Sequence, residues 1–295
     1  LALRRPAPLD IAAAGWSAGP LALAGSAPDW TAELRASADA VRFQAEAAAD
    51  SAQYGQLEGR VEGGMRGPWQ IGTDLPWRGR LKLDAADLAW LGGLLGEGWQ
   101  TGGKLAGALE IAGTPARPRS NGRLDGRGLA LRLPEQGLRL ADGELAAEFD
   151  GSLLRIARLG FSSVLAEPPR ALRQALGDAA GRFATPGRLD VSGELRLGDG
   201  ATAENAFLDV RLDRFGAWQL SDQWVAVSGT GRVSWRADAL GVTGELGVDA
   251  GYWQLAPAGM PRLSDDVVVK RPGAAARSAA RPSLDLDLKT DLGRR

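Results

Sequence analysis

Any acid or base chemistry in this chain has to come from carboxylates, because its 295 residues include no His and no Cys. The missing imidazole removes the usual general base at neutral pH, the commonest metal ligand and the familiar triad nucleophiles. The missing thiol removes disulfides, thiolate catalysis and thiolate metal sites. Carboxylate pairs are present, Asp285 with Asp287 on one strand face and the adjacent Asp265 and Asp266, while Asp209 shares a polar strand side with Arg211. Two carboxylates at a fixed separation can run a glycosidase. Here they alternate with other charges, as on a solvated sheet face, which points away from catalysis. Gly63-Gly64 and Gly102-Gly103 lack the Lys-Ser/Thr and the following helix of a phosphate cradle, so they read as turns or bulges. The residues point to a protein that is no enzyme and uses neither metal nor cofactor.

Composition narrows the class further. A formal net charge of -1 argues against a phosphate-gripping nucleic-acid surface, which needs concentrated basic charge. Richness in Ala, Gly, Leu and Arg reads as genome base composition rather than a functional arginine cluster. No run of about twenty apolar residues is present, so the sequence shows neither a bilayer span nor a signal peptide. Starting at Leu1 and stopping just after a strand pattern, it reads as a segment of a larger protein. Of the ten Trp residues, Trp69, Trp77, Trp218, Trp224, Trp235 and Trp253 fall in or beside strand patterns, where packing is the simplest role. Carbohydrate stacking and membrane-interface anchoring are the sharper alternatives.

The elements that would position these residues are nearly all strands. Apolar residues alternate with Arg, Asp, Glu or Lys in Leu81-Lys82-Leu83-Asp84, in Leu129 to Leu133, in Leu195-Arg196-Leu197 and in Leu284 to Leu288. Period two puts the apolar side chains on one face of a sheet and the charges on the other. Asn121-Gly122, Asp142-Gly143, Asp150-Gly151 and Asp199-Gly200 read as hairpin turns, which would make an antiparallel meander. Two stretches break the period. Leu88, Leu91, Leu94 and Leu95 are spaced for a short helix capped by Asp84 or Asp87, and Pro168 to Gly177 marks a helix or loop insertion. Residues 271–282, rich in Ala, Arg, Pro and Gly, are expected to form a loop.

The order of phrases resembles a known family. Gly102-Gly103-Lys104-Leu105-Ala106-Gly107-Ala108-Leu109-Glu110-Ile111-Ala112-Gly113-Thr114, with Pro118 and Asn121-Gly122-Arg123-Leu124 after it, is similar to a glycine-leucine phrase of the TamB family. These are subunits of the bacterial translocation and assembly module, related to AsmA-like and bridge-like lipid transport proteins. Leu138 to Gly143, Asp150 to Ile156, Pro261 to Val269 and Leu284 to Leu288 follow in the family's order. The resemblance covers about residues 75–293 and departs from the pattern near 162–187, where the Pro168 to Gly181 stretch is inserted.

The resemblance implies an all-β fold: a long, twisted antiparallel sheet curled into a half-open groove, a β-taco, with one or two short helices. Residues 1–75 would be preceding repeats of the same groove, and 76–295 the region like the family's C-terminal part, with its insertion at 164–187. It implies a periplasmic segment of an inner-membrane-anchored protein of a Gram-negative bacterium, bridging inner and outer membranes. Its partners would be phospholipids and the outer-membrane barrel of the translocation and assembly module, with roles in outer-membrane protein assembly and autotransporter secretion. The groove lining would be Leu105, Leu109, Ile111, Leu129, Leu131, Leu133, Leu145, Phe149, Ile156, Leu195, Leu197, Val210 and Leu212. The same side chains could instead pack against one another in a closed sandwich. An extracellular adhesin or carbohydrate-binding β-module is the alternative of a different class.

Overall fold

The computed structural model describes residues 2–3, 8–12, 14–26, 29–67, 69–197, 203–236, 239–254 and 283–292. The strands are β1 (Ala2–Leu3), β2 (Leu9–Ala12), β3 (Gly15–Ser26), β4 (Asp29–Asp39), β5 (Arg42–Ser51), β6 (Gly55–Gly64), β7 (Trp77–Ala85) and β8 (Gln100–Thr114). They continue as β9 (Arg117–Leu133), β10 (Leu138–Gly151), β11 (Leu153–Ser163), β12 (Gly187–Leu197), β13 (Ala203–Gln219), β14 (Gln223–Arg236), β15 (Ala239–Trp253) and β16 (Ser283–Asp291). All belong to one sheet in chain order from β3 to β16, with β1 and β2 both pairing β3 at the edge. Every neighbouring pair is antiparallel except the last, where β16 runs parallel to β15. The two edges do not meet, so the sheet is all-β, curled and not closed. The closed sandwich is thereby set aside.

The strands are longer than the alternation suggests, because several apparent turns lie inside them. Asn121-Gly122 sits in the middle of β9, opposite Glu110 and Leu109. Asp142-Gly143 is a bulge within β10, where Asp142 takes φ 51° and the register with β9 and β11 shifts. Gly102-Gly103 is likewise a bulge, with Gly103 at φ 104°. Asp150-Gly151 does turn the chain, from β10 into β11. Bulges take up one extra residue without ending a strand, which is why two alternating runs separated by Gly can be one strand. Asp199-Gly200, Asp265, Asp266, the Pro261 to Val269 phrase and 271–282 lie outside the described residues.

Both helical insertions sit at one end of the strands. Between β7 and β8 the chain makes a 3₁₀ turn, Ala89–Leu91, and one α-turn, α1 (Gly92–Leu95). The expected cap is partly present: Asp87 Oδ1 accepts the Ala89 N–H at 3.0 Å, whereas Leu88 occupies the cap position itself. Leu88 and Leu91 pack on Ala85 and Leu129, and Leu94 and Leu95 stay exposed, so only half of the expected apolar stripe is used. Between β11 and β12 lie α2 (Arg170–Leu176) and a 3₁₀ segment, Gly177–Phe183.

This second insertion builds the tightest core of the molecule. Leu172 and Phe183 close over Trp224, Ala226 and Ala250, and the Trp224 and Phe183 rings meet edge to face at 5.3 Å. Trp224 Nε1 donates to the Ala166 carbonyl at 3.1 Å, and Gln219 Nε2 donates to the Val164 carbonyl at 3.2 Å. Arg214 Nη1 donates to the Arg182 carbonyl at 2.7 Å and to Thr185 Oγ1 at 2.8 Å, tying down the end of the insertion. β14 pairs with β15 residue for residue from Val227 to Arg236, and counting in twos puts Trp224 and Ala226 on the side of Thr230 and Arg232. The insertion therefore covers the charged face of the sheet, locally made apolar to receive it.

Candidate functional site

Cross-strand register turns the alternation into long uncharged rows. One row reads Leu21, Leu34, Ala47, Gly59, Leu81, Leu109, Gly122, Phe149, Leu154, Leu195, Ala206, Trp235, Leu240 and Leu284, one residue from each strand β3 to β16. The neighbouring row runs from Leu23 through Leu57, Leu83, Leu124, Ile156, Leu208 and Val242 to Leu286, and is equally free of polar side chains. At about 4.8 Å per strand, thirteen steps span about 60 Å. That is roughly four times the ~15 Å depth of hydrocarbon in one bilayer leaflet. Such a surface is a lane and not a pocket.

The residues expected to line a groove all map onto this face where their side chains are described. Leu109, Phe149 and Leu195 stand in the first row and Ile156 in the second. Leu105, Leu145 and Val210 share a third row with Leu159, Val191 and Leu288. Ile111 faces Gly79, Leu212 faces Leu189 and Gly229, and Leu129, Leu131 and Leu133 continue the face toward the helical end. Leu197 pairs with Ala203 in register. The structure adds Leu57, Leu81, Leu83, Leu124, Leu154, Leu208, Val233 and Val242, which the same alternation marks in sequence. Most of these side chains are half-buried: the Ala85, Leu88 and Leu129 cluster packs against Leu83, Leu105, Leu145 and Leu159 toward the helical end, and among the described residues no further element lies over Leu81, Leu109 or Phe149.

Glycine has a second job on this face. A Cβ at Gly126 would lie 2.9 Å from both Leu129 Cδ1 and Leu145 Cβ, and one at Gly107 would lie 2.9 Å from Leu124 Cδ1. Large side chains thus lie over bare backbone, which smooths the apolar surface. At Gly122 a Cβ would fall on the Ala108 carbonyl oxygen, so the backbones there approach too closely for any side chain.

The opposite face is an ion-pair lattice. Directly opposed residues pair at 3.2 Å (Arg60 with Glu46), 2.9 Å (Arg80 with Glu110), 2.7 Å (Arg123 with Glu148) and 3.0 Å (Arg155 with Glu194). Arg232 with Asp209 at 2.6 Å and Lys289 with Glu245 at 2.9 Å extend it to the last strand. The Arg232 guanidinium holds the Asp209 carboxyl below its usual range by hydrogen bonding and charge, and also sits 5.1 Å over the Phe207 ring. These pairs are exposed and screened by water, so each contributes little to stability. Asp285 and Asp287 lie opposite Gly241 and Thr243, and no described cluster of carboxylates is arranged to hold a metal.

The Trp residues are scattered and form no platform. Trp224 is core, Trp77 lies against Phe43 at 5.8 Å, and Trp69 stacks on Trp16 at 6.2 Å. No described helix is long and apolar enough to cross a membrane. No family model, curated protein or solved structure matches this chain.

Proposed function

We propose that this chain is a lipid-conduit segment, a non-enzymatic part of a TamB-like periplasmic bridge along which phospholipid acyl chains move between membranes. The observation that carries the reading is the pair of uncharged rows crossing fourteen strands, with no described element over Leu81, Leu109 or Phe149 and a charged face behind them. Each acyl methylene kept from water is worth about 0.8 kcal/mol, so a lipid leaving a bilayer meets a steep aqueous barrier. A continuous apolar lane lowers that barrier all along the path, and no side chain has to react. The charges on the other face keep the assembly wetted. The sequence resemblance adds the expected setting: an inner-membrane anchor on the full-length protein and an outer-membrane barrel partner whose assembly work it supports.

Photo-crosslinking side chains at Leu109 and at its neighbour Ala108, which points to the charged face, test the reading. Protein purified gently from a bacterial periplasm should give phospholipid adducts at 109 and none at 108. Absence of adducts at 109 in folded protein, or equal labelling at both positions, overturns it.

A further inference from the structure

On the charged face, two pairs of like cations oppose each other with an acid beside them. Arg60 and Arg80 are flanked by Glu46 and Glu110, and Lys104 and Arg127 by Glu144. Arg132 on β9 and Arg139 on β10 are directly opposed with no such relief. Their outer neighbours in the row are Gln100 and the Val164 segment, and no described carboxylate pairs with either arginine. The nearby Glu135 directs Oε1 toward the space beside Gly98, 3.9 Å from where a Cβ there would stand. Directly opposed like charges stand about 5 Å apart at Cβ and destabilise a sheet unless something neutral or negative lies between them.

A recess opens at this spot. Gly137, at φ 69°, closes onto the Gln219 backbone, which brings the start of β10 against the end of β13. The resulting cavity of about 480 Å³ is lined by Arg132, Arg139, Gln100 and Gln219 among others. Two guanidinium forks with the Gln100 side chain beside them match the oxygens of a tetrahedral oxyanion, which arginine binds in bidentate fashion, while the Gln219 amide is held by Val164 and Ala166 and only walls the recess. We propose that Arg132 and Arg139 form a binding site for a phosphate group, held by free phosphate or by the phosphodiester of a lipid headgroup. It lies on the face opposite the apolar lane and does not depend on lipid passing there.

The test is isothermal titration of the folded chain in chloride buffer, with inorganic phosphate in one arm and acyl-free glycerophosphoglycerol in the other. Saturable binding is expected in at least one arm, and the tighter arm identifies the source. Arg132→Gln and Arg139→Gln should each weaken it about tenfold, the usual worth of one charged hydrogen-bonding partner. Arg123→Gln, which breaks a pair on the same face, should leave it unchanged. Arg139→Glu should abolish binding and raise the thermal midpoint, because it converts the like pair into an ion pair. No saturable binding in either arm, or equal losses from Arg123→Gln, overturns the site. A protein that binds phosphate but gives no lipid adduct at Leu109 keeps this site and loses the conduit.

Discussion

The helical end of the sheet and its mid-strand lane use the same kinds of side chain to opposite effect. At the end, Trp224 is 1% exposed and Ala226 fully buried under Leu172 and Phe183, with apolar side chains on the face that elsewhere carries ion pairs. In the middle, Leu81, Leu109 and Phe149 are only half-buried, and no described element covers them. A chain that needed its apolar face only for stability would cover the middle first, where the area is largest. The difference separates holding the sheet together, done by backbone ladders and one capped end, from keeping a surface apolar.

The largest effect that sharpens this contrast is expected from Trp224→Ala. It removes a fully packed ring and its bond to the Ala166 carbonyl, and should cost about 3–5 kcal/mol. Leu109→Ala should cost about 1 kcal/mol, because a half-buried leucine has less to lose. Urea unfolding of both variants measures the ratio; equal losses would mean that the lane is an ordinary core. Trp224→Phe should recover most of the loss and leave about 1 kcal/mol for the missing hydrogen bond.

Next in size is Gly122→Ala, in the lane itself. Its Cβ would meet the Ala108 carbonyl oxygen and come within 2.9 Å of the Leu109 Cα, so β8 and β9 would have to part. A loss of about 1–3 kcal/mol is expected, against near neutrality for Gly181→Ala, which has open space around it. Amide exchange should show the loss as faster opening of β8 and β9 alone, with the Trp224 end still protected. Global loss of protection would show that lane and cap unfold as one unit.

Much of this was legible in the sequence. Period-two alternation is local, so Leu81-Lys82-Leu83 and Leu129 to Leu133 declare which face each residue takes. Register and bulges are not local. Asn121-Gly122 has the composition of a hairpin turn, and only the close approach of β8 shows why Gly stands mid-strand. The cap was half visible: Pro168 and Gly177 mark the insertion, but its docking site on Trp224, Ala226 and Ala250 is assembled from residues some 50 positions or more downstream. The parallel turn of β16 is equally remote from any local signal. The Arg132–Arg139 opposition needs the β9–β10 register to be seen at all.

The smallest expected effect concerns the charged face, and it tests whether ion pairs blur the contrast between cap and lane. Asp209 is held below the ordinary carboxylate range by Arg232, so it binds its proton later in the folded chain than in the unfolded one as pH falls. Its stabilisation is therefore complete above pH of about 4 and is lost as the pH drops through the folded value. Asp209→Asn should lower stability at pH 7 only slightly, less than either Trp224→Ala or Gly122→Ala, because both partners are exposed. The gap between the variant and the parent should close as the pH falls through the lowered folded value, and shrink in 1 M salt, where charges are screened beyond about 3 Å. The gap between Trp224→Ala and Leu109→Ala should survive both treatments, since neither packing nor burial of apolar area depends on those charges. A Trp224→Ala loss that faded with salt or acid would instead place the holding force of the capped end in its arginines, Arg214 foremost.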